Sequence, residues 1–298
     1  MHLLAELAAL IVAHVGGRGA QRKTVILDGM SVTVVTEPTE PAAAMAEPSL
    51  AVVGHGVKRT VLNGTPYDYR AGQYVVVSLD LPVTGQALEA SMDEPFAVFS
   101  MTLKPVMIAP LLLETTSTAR PPAFSGLAVS DATPELLDPI VRLLRLLDHP
   151  DDLRVLGPGL EREILWRLVT GEQGALVRQI GLADSSLTHI ARTIRWIREH
   201  YDDALRVADL ADLAGMSESS FHRHFRSATS MTPIQFQKQI RLQAARALLI
   251  SSPGEVAEIG YRVGYESPSQ FSREYRRTFG TPPGRDAVRL RETTGPGI

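Results

Sequence analysis

Six side chains near the C-terminal end recur fifty positions later: Ser219, Phe221, His222, Arg223, Phe225 and Arg226 become Ser269, Phe271, Ser272, Arg273, Tyr275 and Arg276. On a helix, at about 100° per residue, Ser219, His222, Arg223 and Arg226 share one face while Phe221 and Phe225 point to the other. The second copy behaves alike and adds Gln270 and Arg277 to its polar face. Arginine donates paired hydrogen bonds to phosphate or to a guanine edge, and a glutamine amide matches an adenine edge. An ordinary amphipathic helix also opposes aromatics to charge, but nothing requires it to repeat residue by residue. Such a face suits nucleic-acid reading, with Ser219, His222, Arg223, Ser269, Gln270 and Arg273 toward base edges. Arg226, Ser272, Arg276 and Arg277 are then left for phosphates.

Catalytic chemistry finds little support. The 298 residues contain no cysteine, which removes disulfides, zinc–cysteine centres, thiol nucleophiles and thiol redox sensing. DNA-repair proteins that pair a similar helical reader with alkyl-group removal need a cysteine, so that reading falls too. His222 and His224 form a His-x-His pair, but on a helix this spacing turns the rings about 200° apart and makes no chelate. His2, His14, His55, His149 and His189 are widely scattered, whereas a metal site of this kind needs clustered histidines with a carboxylate. The expectation is no catalytic residue, no metal and no cofactor.

Helical punctuation positions the repeated faces. Val207, Ala208, Leu210, Ala211 and Gly215 map onto Val256, Ala257, Ile259, Gly260 and Gly264 at an offset of 49, and the extra Glu266 makes the later offset 50. Helix, glycine turn, helix is the helix-turn-helix signature, with small residues at Ala211 and Gly260 where the two helices cross. The units span about 207–228 and about 255–279. Ser217 is a natural N-cap for a helix to about Ala228, Ser252 to Glu255 reads as a capping box, and Ser267-Pro268 opens the last strong helix. Between the units, Thr232-Pro233 starts a helix through Ile240, Leu242, Ala245 and Leu249 to about Ile250, roughly 27 Å long. Upstream, a helix through Ile190, Ile194 and Ile197 ends near Tyr201.

The first 115 residues read differently. Valine-rich runs at 24–27, 31–35, 51–53 and 74–79, punctuated by Asp28-Gly29, Asn63-Gly64 and Ala71-Gly72, are strand and turn signals for a small antiparallel barrel or sandwich. Glu37 to Pro48 (EPTEPAAAMAEP) is expected to be an exposed loop because its prolines interrupt a ladder. Leu3 to Val15 is expected to be a packing helix: it lacks the charged start and cleavage site of an export signal and is too short to span a bilayer. Leu136, Leu137, Ile140, Val141, Leu143, Leu144 and Leu147, then about 160–169, have helical spacing, serving either to cover an open barrel edge or to form a dimer seam. Tyr67, Tyr69, Tyr74 and Phe96 serve packing or a pocket.

Charge separates the halves. Residues 1–190 hold 14 Lys+Arg against 21 Asp+Glu, whereas residues 191–298 hold 16 against 12, with Lys238 the only lysine among the latter. The expectation is an α+β chain of two domains, 1–183 strand-rich with helices and 184–298 all-α.

Residues 259–283 (IGYRVGYESPSQFSREYRRTFGTPP) resemble the signature of the AraC/XylS family of bacterial transcription regulators, and the likeness extends over about 190–290. Residues 68–82 (DYRAGQYVVVSLDLP), continuing through Val83, Thr84 and Gly85, are similar to the sensory half of one subgroup. The resemblance implies a cupin-like N-terminal barrel for effector binding or dimerisation and a C-terminal domain of two helix-turn-helix units joined by a long helix. It implies a cytoplasmic, non-membrane protein that binds double-stranded promoter or operator DNA. A small organic effector, a homodimer and, for an activator, RNA polymerase are the further partners it implies. The alternatives are a regulator whose barrel only dimerises and, less favoured, a metal-dependent cupin enzyme. Two departures from the family pattern, the short Ser219 and Pro268 in place of a polar reader, imply more direct readout by the first unit and more anchoring by the second.

Overall fold

The structure is a computed structural model that describes residues 2–115, 126–183, 185–251 and 255–293. Its helices are α1 (His2–His14), α2 (Pro105–Leu112), α3 (Pro134–Arg145), α4 (Pro150–Thr170), α5 (Gly174–Gly181), α6 (Ser186–Glu199), α7 (Val207–Ala214), α8 (Glu218–Thr229), α9 (Pro233–Ser251), α10 (Val256–Arg262), α11 (Pro268–Phe279) and α12 (Pro283–Thr293). The strands are β1 (Gln21–Leu27), β2 (Met30–Val35), β3 (Ala42–Ala46), β4 (Ser49–His55), β5 (Val57–Leu62), β6 (Thr65–Arg70), β7 (Gln73–Val77), β8 (Leu81–Glu89), β9 (Phe96–Thr102) and β10 (Leu127–Asp131). Two compact units divide the chain: residues 1–191 with 224–230, and residues 192–223 with 231–298.

In the first unit the strands form two antiparallel sheets, ordered β1-β2-β9-β4-β7-β10 and β3-β8-β5-β6. Valine and other apolar side chains on β2, β4, β7 and β9 are almost all buried, which accounts for apolar runs with little polar alternation. The valine run at 74–79 leaves the ladder at Val77. Helix α1 packs on β4 and α3, with Leu7 and Ile11 fully buried. Leu136, Leu137, Ile140, Val141, Leu143 and Leu144 of α3 are buried, as are Leu160, Ile164, Leu165, Leu168 and Val169 of α4, and the two helices pack on each other. The apolar stripe is thus used inside this unit. Val155 and Leu156 of α4 remain exposed.

One strand corrects the sequence reading. The stretch expected to be a loop, 37–48, contains β3, which pairs with β8 from Ala42↔Gly85 to Ala46↔Leu81. Pro38, Pro41 and Pro48 flank the strand without interrupting it, so its N–H groups remain available, and β3 lies at a sheet edge.

The second unit is helical, and its caps are local chemistry. Thr232 Oγ1 accepts from Gln235 N at 3.2 Å while Gln235 Oε1 accepts from Thr232 N at 2.9 Å. This reciprocal capping box starts α9 at its N-terminal proline. The capping box expected at Ser252 to Glu255 differs: Glu255 itself is the N-cap of α10 and makes no side-chain cap bond, and residues 252–254 lie outside the described residues. Helix α12 had no sequence signal comparable to the others, because its apolar content is low. A buried carboxylate secures it. Asp286, fully buried, accepts from Arg246 Nε at 3.0 Å, Tyr275 Oη at 2.8 Å and Arg289 Nη2 at 2.8 Å. Arg246 belongs to α9 and Tyr275 to α11, so three helices meet on this one group. Burial pushes the Asp286 pKa up, but bonds from Arg289, Tyr275 and Arg246 outweigh it and hold the carboxyl below its ordinary value.

The two turn glycines are equivalent in sequence and unequal in structure. Gly215 has φ +66°, and a Cβ there would meet nothing within 4 Å. Gly264 has φ +87°, and a Cβ would lie 2.4 Å from the Asp202 carbonyl oxygen and 2.8 Å from the Arg241 guanidinium. We expect Gly215→Ala to destabilise the helical unit by about 1 kcal/mol from left-handed strain alone. Gly264→Ala, with overpacking added, should lose about 2–5 kcal/mol. Native-state hydrogen exchange of the α9 and α11 amides in the full chain reads the difference, and equal losses would contradict it. Asp286→Asn should cost about 2–4 kcal/mol at neutral pH. Because the folded carboxyl titrates below its unfolded value near 3.9, its stabilisation is present above that pH and is lost as pH falls through the folded value. The variant should show a flatter stability profile between about pH 5 and 3, and an unchanged slope would overturn the assignment.

Candidate nucleic-acid interface

Helix α8 follows the Gly215 turn, and the hydroxyl of Ser217 accepts from Ser220 N at 3.4 Å to satisfy one of its free donors. Phe221 and Phe225 are fully buried, whereas Ser219, His222, Arg223 and Arg226 are all exposed. Arg223 Nη2 lies 3.3 Å from the Ser220 hydroxyl one turn back, which orients the guanidinium along the helix without neutralising it. Four polar side chains therefore share an accessible face, as the spacing requires.

Helix α11 repeats the construction. Ser267 Oγ accepts from Gln270 N at 3.4 Å, and Pro268 occupies the first turn, where its missing N–H is harmless. Phe271 and Tyr275 are fully buried and meet edge-on with ring centroids 5.6 Å apart, and Phe279 packs half-buried against the same core. Gly260 of α10 lies so close that a Cβ would be 3.0 Å from the Phe271 ring, which is the crossing the small residue was expected to serve. Ser269, Arg273, Arg276 and Arg277 are exposed, while Gln270 and Ser272 are half-buried. Ser272, Arg273, Arg276 and Arg277 line, with Gly280 and Pro282, an open concavity of about 540 Å³. Three guanidiniums on one recess make a surface suited to a polyanion.

The groups that hold these faces in place were invisible to motif reading. Arg241, near the middle of α9, donates from Nε to Tyr201 O at 2.6 Å and from Nη1 to Gly264 O at 2.6 Å. Its Nη2 reaches Asp203 O at 2.9 Å and Asp202 O at 3.3 Å. One guanidinium thereby joins the turn before α7 to the turn before α11, and burial lowers its pKa from the ordinary arginine value. Gln237 Nε2 adds a bond to Asp203 O at 2.8 Å, one helical turn earlier on α9. Glu274 of α11 accepts from Lys238 Nζ at 2.8 Å, Tyr265 Oη at 3.0 Å and Gln270 Nε2 at 3.2 Å. Burial pushes its pKa up, but the bonds from Lys238, Gln270 and Tyr265 prevail and keep the carboxyl below its usual range. The only signal in the sequence was the helical spacing of Gln237 and Arg241, and of Gln270 and Glu274, on otherwise unremarked faces.

Among the described residues the strand-rich unit presents no comparable cluster of arginines on a helix face. Among the described residues no group of three His, Cys, Asp or Glu side chains is placed to hold a metal ion. Tyr69, Tyr74 and Phe96 are buried; Tyr69 Oη and Thr60 Oγ1 are 2.9 Å apart, and Tyr74 hydrogen-bonds with Ser130 and Gln173. These aromatics pack, and Tyr67 is half-buried. A polar concavity of about 440 Å³ opens at the strand ends between His55, Arg70, Glu89 and Glu94. No helix among the described residues is long and apolar enough to cross a membrane.

Comparison with known proteins places this arrangement. Residues 26–176 match the AraC-type transcriptional regulator N-terminus, and residues 210–287 match a helix-turn-helix domain. The HTH-type transcriptional activator RhaS of Escherichia fergusonii is 27% identical over 270 residues, covering 86% of this chain and 94% of that protein. The DNA-binding domain of AdpA, a global transcriptional factor solved in complex with a target DNA, is 33% identical and covers 35% of this chain and 94% of its own, with a TM-score of 0.33. Unsaturated-fatty-acid-bound ToxT from Vibrio cholerae strain SCE256 is 13% identical, covering 92% of this chain and 97% of its own with a TM-score of 0.46. The chain belongs to the AraC family, and is a DNA-binding transcriptional regulator rather than an enzyme.

Proposed function

We propose that the chain reads DNA through two unequal helices and that a small organic molecule, bound in the N-terminal half (1–183), controls the reader (184–298). The observation that carries the first part is the repeated exposed face on α8 and α11, backed in both copies by fully buried aromatics. In this reading Ser219, His222 and Arg223 meet base edges from α8, with Arg226 on phosphate. Ser269, Gln270 and Arg273 do so from α11, anchored by Ser272, Arg276 and Arg277. Each helix enters a major groove, and the grooves on one DNA face recur about every 34–36 Å. Helix α9, about 28 Å long at its 19 residues, is of the length that lets one chain span two neighbouring groove segments.

Arg223→Ala and Arg273→Ala should each relax preference at one or two base pairs, by about 1–3 kcal/mol of discrimination. Arg277→Ala should weaken binding to all sequences and reduce the dependence on salt by about one phosphate contact. Footprinting and titration at several defined salt concentrations check this. Equal losses on specific and random DNA for all three variants would sink the division of roles.

Effector control rests on the polar concavity at the strand ends and on the pairing of an acidic strand-rich half with an arginine-rich reader. The competing reading is a half that only forms a homodimer, favoured by exposed Val155 and Leu156 on α4. A thermal-shift screen of small organic acids, sugars and amines should find a compound that raises the melting temperature of the full chain and changes its affinity for DNA. If no compound does so and Val155→Glu with Leu156→Glu abolishes dimerisation, the dimer-only reading replaces effector control.

A further inference from the structure

Gln270 carries the amide suited to an adenine edge, and its side chain is already engaged. Gln270 Nε2 is 3.2 Å from Glu274 Oε1, one turn further along α11. An ionised carboxylate only accepts, so the amide nitrogen must face it and the amide cannot flip without setting two oxygens together. The nitrogen carries two hydrogens. When the hydrogen trans to Oε1 is the one given to Glu274, the hydrogen cis to Oε1 and Oε1 itself remain as an adjacent donor–acceptor pair, the pattern complementary to adenine N7 and N6.

Glu274 is itself immobilised. Its other oxygen accepts from Tyr265 Oη at 3.0 Å, Lys238 Nζ of α9 lies 2.8 Å from Oε1, and the side chain is only 12% exposed. A carboxylate on a DNA-facing helix opposes phosphates, so its retention there calls for a role that offsets the repulsion. Lys238 supplies local neutralisation. The first unit has no equivalent: fifty residues earlier the same positions hold Ser220 and His224.

We propose that Glu274 is a positioning residue that fixes the amide of Gln270 in one orientation and so confers adenine preference on one base pair of the second recognition helix. The proposal rests on the assignment of Gln270 as a base reader and goes beyond it, because the selectivity at that base pair comes from a residue that does not touch DNA.

Selection of binding sites from a randomised duplex pool, followed by base-by-base affinity measurement at fixed salt, tests this with the full chain. Gln270→Ala should lower the preference at one A·T pair about tenfold. Glu274→Gln, which can donate as well as accept and so permits either flip, should lower the preference at the same pair about three- to tenfold, with affinity for random DNA unchanged or higher. The double variant should lose no more than Gln270→Ala alone. Lys238→Met, which loosens the same link between α9 and α11 while leaving the Gln270 to Glu274 bond, should lower thermal stability and keep the preference.

Several results would overturn the proposal. One is a Glu274→Gln variant that loses affinity evenly across all base pairs, as Lys238→Met would if the role were structural. Another is a further loss in the double variant. If Gln270→Ala leaves every preference intact, Gln270 is not a reader and the proposal fails with that single assignment. If wild-type protein shows no preference at any base pair, the whole base-reading scheme fails instead.

Discussion

The helical frame of the DNA-binding half is tied together by one half-buried cation. Arg241 projects from α9 and uses its fork of donors on carbonyl oxygens at Tyr201, Asp202, Asp203 and Gly264. Those carbonyls belong to the turns that precede α7 and α11, and neither turn has a regular ladder to satisfy them. A guanidinium is the one side chain with enough donors in a fixed plane to do this. Lysine at this position would leave several carbonyls without partners in a half-buried setting. The left-handed Gly264 and the absence of a Cβ there follow from the same constraint, since the guanidinium lies against that site.

Around this centre the two helix-turn-helix copies share a scaffold and differ in how their polar faces are held. On α8, Arg223 leans on the Ser220 hydroxyl and its charge is not offset there. On α11, a carboxylate network joins Lys238, Tyr265, Gln270 and Glu274, and a concavity gathers three arginines beside it. The second copy is the more heavily built, and Asp286 adds a third helix to its support. The two copies share the aromatic core and the glycine turns, which serve folding. They differ in the polar surface, which is the part proposed to read DNA.

The parts legible in the sequence were those governed by local rules. Ser217, Thr232 and Ser267 announced helix starts because a cap needs only the next three residues. Gly215 and Gly264 announced turns, and Phe221, Phe225, Phe271 and Tyr275 announced an interior by helical spacing. Long-range partners were not legible. Arg241, Glu274 and Asp286 bond to groups up to 40 residues away, and one arginine among many carries no mark of that. Strand β3 was hidden by the prolines that flank it, although none lies within it. The residues proposed to face DNA were named from type and spacing; all are exposed except Gln270 and Ser272, which are half-buried. At Gln270 the difference has a physical cause in the Glu274 network.

We propose that one chain presents two recognition helices on a frame stiffened by α9 and Arg241, so that both grooves are read in fixed phase. The most direct measurement is the affinity of the full chain for a selected duplex in which about 5 bp, half a helical turn, is inserted between the two contacted segments. A rigid frame predicts two protected major-groove segments on one face of the parent duplex and at least a tenfold loss on the inserted one. A single protected segment, or equal affinity for both duplexes, would contradict the account.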